Sequence, residues 1–222
     1  MGELTVMEKL VIVGAGSQAR YVIDIARSAQ LYELVGIVDV ETADNVGKQL
    51  NDVPIACTLD ELQKHFRPRD CRLIVAYGQN DRKRDIVRQL ERDGFEFGQA
   101  VSPLAYVSPT ALIGEGCIIN PMASVMPNAR LGRHVIVHSQ CVIEHDNVIG
   151  DLANIGPGVS LAGRVAVGEG TYIYTGAKVI PDINIGSWAV VAAGALVTRD
   201  VADHDTVVGV PARSRRRRGD RP

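Results

Sequence analysis

From Val107 to Val197 an aliphatic residue stands at every sixth position. The series is Val107, Ile113, Ile119, Val125, Leu131, Val137, Ile143, Ile149, Ile155, Leu161, Val167, Ile173, Val179, Ile185, Val191 and Val197, sixteen in succession without a miss. A period of six fits neither the 3.6-residue turn of a helix nor the two-residue alternation of a strand. It reads as a solenoid in which each repeat is one side of a coil. Four places after most of these residues comes a second column of small or β-branched side chains: Cys117, Ala123, Ala129, Val135, Cys141, Ala153, Val159, Val165, Thr171, Ala177, Ala189 and Ala195. Both cysteines in it are expected to point inward. Gly114, Gly132, Gly150, Gly168 and Gly186 are spaced by eighteen residues, as are Gly158, Gly176 and Gly194. Three hexapeptides therefore make one coil of a three-sided prism, and both glycine columns are expected where a tight corner needs a positive φ.

The first hundred residues follow a different grammar, that of a small α/β sheet. Leu10–Val13 is an aliphatic strand running into Gly14-Ala15-Gly16, and Ser17–Ala29 reads as a helix with Val22, Ile23, Ile25 and Ala26 on its apolar face. Leu34–Val38 is a second strand ended by Asp39. Thr58–His65 reads as a short helix with Thr58 as N-cap, Leu73–Ala76 as a third strand, and Asp81–Arg92 as a helix stopped by Gly94. The expected organisation is residues 1–101 as a Rossmann-like domain, 102–213 as the prism and 214–222 as a solvated basic tail carrying Arg215–Arg218.

Bulk properties narrow the function. A net charge of −2 over 222 residues gives no reason to expect nucleic acid or an anionic membrane as partner. No apolar run approaches the ~20 residues of a membrane span, and the start MGELTVMEKL lacks the features of a signal peptide, so a cytoplasmic protein is expected. Met7 is an alternative start. Cys57, Cys71, Cys117 and Cys141 show neither CxxC pairing nor metal spacing.

The repeat, together with Ala193-Gly194-Ala195 and Gly209-Val210-Pro211-Ala212, resembles the bacterial hexapeptide acyltransferases, whose prism is a left-handed parallel β-helix. A GAGxxA turn opening a small α/β domain, followed by VIEHDNVIGD and SLAGRVAVG, narrows the resemblance to the NeuD/PglD-type sugar acyltransferases. That family comprises sialic acid O-acetyltransferases and nucleotide-amino-sugar N-acetyltransferases, and the likeness runs over about residues 9–213. It implies acetyl-CoA as co-substrate, no metal, a homotrimer, and N-acetylation of a nucleotide-linked amino sugar in surface glycan synthesis. O-acetylation of a sugar or sialic acid is the alternative.

The resemblance also implies roles. His145 matches the general base, the imidazole being the side chain that titrates nearest neutral pH. Asp146 matches its carboxylate partner, with Glu144 the other local candidate. Gly163, eighteen residues on, matches a glycine at the coenzyme, where a thioester is expected to lie against bare backbone. Thr175 and Ala193 match positions beside the pantetheine arm, and Gly209, Pro211 and Arg213 positions near the coenzyme's nucleotide end. Arg164, in one column with Asp146 and Asp182, is expected in a charge ladder.

In the first domain, Gly14, Gly16, Ser17 and Gln18 fit the glycine-rich strand-to-helix turn at which a phosphate is expected to approach backbone amides. Asp39, Gly78 and Asn80 match residues around the nucleotide of the sugar donor. Asp39 also fits the ribose-binding acid of NAD folds, but the domain is only half a full dinucleotide unit. Ser17-Gln18 departs from the Gly-His usual in the family. A metal-dependent prism enzyme would need three converging imidazoles. His134, His138 and His145 fall on successive sides of one coil, and the first two are expected at the surface or an interface.

Overall fold

Leu10, Val11, Ile12 and Val13 offer no polar side chain, so a strand made of them is stable only with both faces covered. The computed structural model, which describes residues 7–215, buries all four completely. The chain divides into two compact units at Pro103/Leu104. In the first, β1 (Glu8–Val13) pairs in parallel with β2 (Tyr32–Asp39) and, on its other side, with β5 (Arg72–Val75). The sheet order is β3-β4-β2-β1-β5, where β3 (Gln49–Leu50) and β4 (Val53–Thr58) form an antiparallel hairpin and β4 runs parallel to β2. This hairpin is absent from the sequence reading. Pro54 argues against a strand, but Val53, Ile55 and Cys57 alternate inward, and Asn51 and Asp52 both take positive φ, as a two-residue hairpin turn requires.

Helix α1 spans Ser17–Ala29 and ends at Gln30, which turns left-handed and donates its N–H to Ala26 O. The Thr58–His65 segment is a 3₁₀ turn (Leu59–Glu61) followed by one turn of helix, α2 (Leu62–His65). Thr58 does not cap it as expected: its hydroxyl donates to the Glu61 carboxylate instead of accepting a backbone N–H. Helix α3 (Asn80–Arg92) closes at Gly94, whose φ is +83°.

The second unit is the left-handed parallel β-helix. Each side is a two-residue strand ending on one of the periodic aliphatic residues, and each pairs with strands eighteen residues away. The first face stacks the strands from Tyr106–Val107 to Leu196–Val197, the second those from Leu112–Ile113 to Asn184–Ile185. The third runs from Ile118–Ile119 through Val190–Val191 to Thr206–Val208. All sixteen aliphatic residues are buried except Val107 and Ile113 on the lowest coil, which are half-buried. The last coil is shorter: Val190 pairs with Thr206, sixteen residues on, and Arg213–Ser214 returns antiparallel to it. Ser214 and Arg215, expected in the tail, are thus bonded into the prism's end, with Arg215 N–H donating to Thr206 O. Arg216–Arg218 and the rest of the tail lie outside the described residues.

The corners correct one expectation. Positive φ falls three places after each of the periodic aliphatic residues from Ile113 to Val191, on all three edges, at Gly116, Met122, Asn128, His134, Gln140, Asp146, Leu152, Gly158, Arg164, Gly170, Gly176, Asp182, Trp188 and Gly194. The column Gly158, Gly176 and Gly194 is glycine for that reason. Gly114, Gly132, Gly150, Gly168 and Gly186 have no positive φ; they are glycine for lack of room. A Cβ on Gly150 would lie 2.6 Å from Glu169 N and one on Gly168 2.4 Å from Ser187 N, both backbone atoms of the next coil.

The two columns should respond differently to alanine. Gly158→Ala, with nothing within 4 Å of the new methyl, should lose only the left-handed strain of about 1–2 kcal/mol. Gly150→Ala must push two coils apart and should lower Tm distinctly further. Equal melting temperatures would contradict this account.

Candidate functional site

The corner between the first and second faces carries the sequence Glu144-His145-Asp146-Asn147. Adjacent residues of an extended chain point to opposite sides, but Asp146 turns left-handed at φ +60°, and the two side chains meet. His145 Nδ1 lies 2.8 Å from Asp146 Oδ2. An ionised carboxylate only accepts, so Nδ1 is the donor, and in the neutral tautomer that this contact selects the lone pair sits on Nε2. The other carboxylate oxygen, Oδ1, accepts from Asn128 Nδ2 at 3.1 Å. The hydrogen bond from His145, then that from Asn128, holds the Asp146 carboxyl below the usual carboxylate range.

Gly163 stands one coil above. A Cβ there would be 2.5 Å from His145 Nε2 and 2.6 Å from Cε1. The space left by the missing side chain is therefore filled by the imidazole itself, not left open for a thioester as expected. Glycine at 163 lets the ring stand upright at the corner. Arg164 N–H donates to His145 O at 3.0 Å, and its guanidinium grips Asp182 with both arms, at 2.6 and 2.8 Å. The expected charge ladder is thus present.

Asn147 was passed over in the sequence because it breaks the small inward column. It is fully buried, and its Oδ1 accepts from Val165 N at 2.6 Å. It ties the corner of His145 to that of Gly163. Asn128 was missed too, although counting eighteen residues back from Asp146 finds it.

Thr175 and Ala193 are exposed on a different edge, between the third and first faces. Gly209, Pro211 and Arg213 are exposed beyond the last full coil. One prism does not bring these residues to His145. Cys141 points inward, as expected: its Sγ donates to Gly156 O at 2.9 Å, and burial pushes the thiol up to about 11. His134, expected at the surface or an interface, is not exposed on the prism. It is buried in the corner between the second and third faces, where a Cβ on Gly116 would lie 2.1 Å from its Nδ1. His134, His138 and His145 occupy three different corners, so one prism does not bring them to a shared metal.

In the α/β unit the loops after β1, β2 and β5 meet at the carboxyl edge of the sheet, with β1 between the other two. Such an edge is where ligands bind in open α/β sheets. Gly14 has φ +112°, and a Cβ on it would be 2.8 Å from Ala76 O. Gly16, at the N-cap of α1, has nothing within 4 Å of a Cβ, so no internal packing demands glycine there. The first N–H groups of α1 have no side-chain cap, and Ser17 beside them is exposed. Gln18 is buried with its Nε2 unbonded. Tyr77 donates its hydroxyl to Glu41, bridging the loops after β5 and β2 over the glycine turn. Gly78 is exposed and Asn80 buried at the start of α3.

Asp39 differs from its expected ligand role in that both of its oxygens are engaged in its own loop. Oδ1 accepts from Glu41 N at 2.8 Å and Thr42 N at 3.2 Å, and Oδ2 from Asn45 Nδ2 at 2.8 Å. Burial pushes this carboxyl up, but the hydrogen bonds from Asn45, Glu41 and Thr42 outweigh it and hold it below its ordinary value.

Comparison with known proteins agrees with both units. The PglD N-terminal domain model matches residues 9–90, and the bacterial transferase hexapeptide model (six repeats) matches residues 110–145. The chain is similar to PerB from Caulobacter crescentus, solved in complex with CoA and GDP-perosamine: 32% identity over 93% of this chain and 97% of that one, TM-score 0.84. It is also similar to the acetyltransferase domain of PglB from Neisseria gonorrhoeae, solved with acetyl coenzyme A: 31% identity, 94% and 99% coverage, TM-score 0.86. WeeI from Acinetobacter baumannii shares 26% identity over 94% of this chain and 100% of that one, TM-score 0.81. Among curated sequences, a serine acetyltransferase of Bacillus pumilus is 40% identical over 73 residues, which are 29% of this chain and 34% of that protein. The chain spans about a third of the length of the curated relatives it matches.

Two outcomes follow from this geometry. Gly163→Ala should displace the imidazole without unfolding the prism, so Tm should change little. Turnover should fall by a factor on the order of 10²–10⁴, the usual worth of a general base; full turnover would mean that the ring's position is not needed. For Asp39, a folded-state pKa below its unfolded value of about 3.9 means stabilisation present above that pH and lost as pH falls through the folded value. Asp39→Asn should therefore lower stability at pH 7, with the difference from the parent protein shrinking in denaturant titrations as the pH falls through and below the ordinary carboxylate range.

Proposed function

This chain belongs to the NeuD/PglD-type family of hexapeptide sugar acetyltransferases, and we propose that it transfers the acetyl group of acetyl-CoA to the amine of a nucleotide-linked amino sugar. The observation that carries this reading is the His145–Asp146 pair, with Nδ1 held at 2.8 Å and Nε2 against the bare backbone of Gly163. In the proposed reaction the sugar amine attacks the thioester carbonyl carbon while His145 Nε2 removes its proton. The C–S bond then breaks, and the imidazolium returns the proton to the departing thiolate. Transfer is direct, because Cys141 is buried and its thiol is held neutral. The oxyanion rests on backbone N–H groups beside the base.

The amino-sugar acceptor is supported by the complex of PerB with CoA and GDP-perosamine. The open N-terminus of α1 would receive the diphosphate, with Gly14, Gly16, Ser17, Gln18, Gly78 and Asn80 around the nucleotide. Asp39 would act there through the shape of its loop. Since Thr175 and Ala193 lie on a different edge from His145, a coenzyme site that uses all of them takes residues from two prisms, which supports a homotrimer. The place of action would be the cytoplasm, in surface glycan synthesis; among the described residues no helix is long and apolar enough to cross a membrane.

A screen of nucleotide amino sugars with acetyl-CoA, following release of free thiol, tests the reading. His145→Ala should lower kcat by about 10²–10⁴ with coenzyme affinity nearly unchanged, and Cys141→Ala should be close to neutral. Near-full activity of His145→Ala, a trapped acetyl-Cys141, or an active monomer in light scattering would each contradict the corresponding part.

A further inference from the structure

The corner column that holds the base continues one coil below it, to a residue with no role in the chemistry described so far. We propose that Asn128 is a positioning residue for acyl transfer: its amide fixes the Asp146 carboxylate so that one oxygen stays aimed at His145. The inference rests on reading His145 as the base.

A carboxylate turns easily about its last bond, since that torsion is broad and roughly two-fold. A single hydrogen bond to His145 would leave it free to swing toward solvent. Asn128 supplies the second point, taking Oδ1 at 3.1 Å while His145 takes Oδ2 at 2.8 Å. Asn128 is itself anchored. It holds the left-handed conformation at φ +61°, which asparagine tolerates better than most residues, and its backbone N–H donates to Thr110 Oγ1 at 3.1 Å. Thr110 Oγ1 lies 3.1 Å from Ser108 Oγ, so the support reaches the lowest coil.

The charged neighbours explain why a neutral amide suits this place. From the coils above, Arg164 and Asp182 face the pair, and Glu144 shares its corner. Arg164 is the cation that could take the Asp146 carboxylate away from His145, but Asp182 engages its guanidinium at two points. Below the pair, a lysine or arginine at 128 would neutralise Asp146 and make the imidazole a weaker base. An aspartate there would repel Asp146. Asparagine orients the carboxylate without changing its charge.

The full-length protein tests this with three variants and His145→Ala as reference. Asn128→Ala should lower kcat about five- to tenfold, the usual net worth of one exposed hydrogen bond, with KM for both substrates within about twofold. Asn128→Asp should move the acidic limb of kcat/KM to higher pH, because an added negative charge favours the imidazolium. In an Asp146→Asn background, Asn128→Ala should add less than about twofold, since it acts through the group already altered. Wild-type kcat in Asn128→Ala, an unmoved limb in Asn128→Asp, or losses that multiply in the double variant would each overturn the proposal. If His145→Ala is inactive while Asn128→Ala is fully active, only this inference fails. If His145→Ala stays active, the reading of the base fails with it.

Discussion

The backbone hydrogen bonds that join each coil to the one eighteen residues on govern the rest of the prism. Val142 N–H reaches Val159 O at 2.9 Å and Glu144 N–H reaches Leu161 O at 3.1 Å, and similar bonds recur up every face. Because register is fixed residue by residue, a side chain at one corner stands over a known residue of the coil below. Where a backbone bond is missing, a side chain substitutes. Asn147 Oδ1 serves Val165 N, and Thr171 Oγ1 serves Ala189 N at 3.2 Å. Both occupy the inward column, where a small apolar residue would leave that N–H without a partner in a dry interior.

That registration lets three polar side chains meet at one corner of a very regular scaffold. His145, Asp146 and Asn128 need no loop insertion and no second domain to meet. They need a left-handed turn at Asp146 and a coil height that sets residue 128 beneath residue 146. The strain of left-handed non-glycine residues is of order 1 kcal/mol each. It is accepted at all three edges, which shows that the coil geometry outweighs local preference. Elsewhere glycine answers to space, as under the backbone of Glu169 and Ser187 or against the ring of His145.

The α/β unit solves a different problem. Its central strand is flanked by β2 and β5, so three loops converge over one glycine turn, and the acid that sequence position suggests for ligand contact is spent on holding its own loop. With Asp39 committed to Glu41, Thr42 and Asn45, the open features left at this edge are the bare N-terminus of α1 and the buried amide of Gln18.

The sequence by itself determined the prism, its three sides and its inward columns. All of these depend only on counting, because a solenoid converts sequence spacing into spatial adjacency, whereas the choice of His145 rests on the family motif around it. It also marked β1, α1, β2 and α3, whose apolar patterns are continuous or strongly amphipathic. The hairpin of β3 and β4 was hidden by Pro54 and by its short first strand, which gain meaning only from pairing. Tertiary structure alone decided which glycines answer to φ and which to space, since a clash depends on the backbone of another coil. It alone showed His134 buried, Asp39 bonded into its own turn and the imidazole occupying the room that a side chain on residue 163 would need. Each of these depends on where a side chain points, and periodicity places a residue on a corner without fixing that direction.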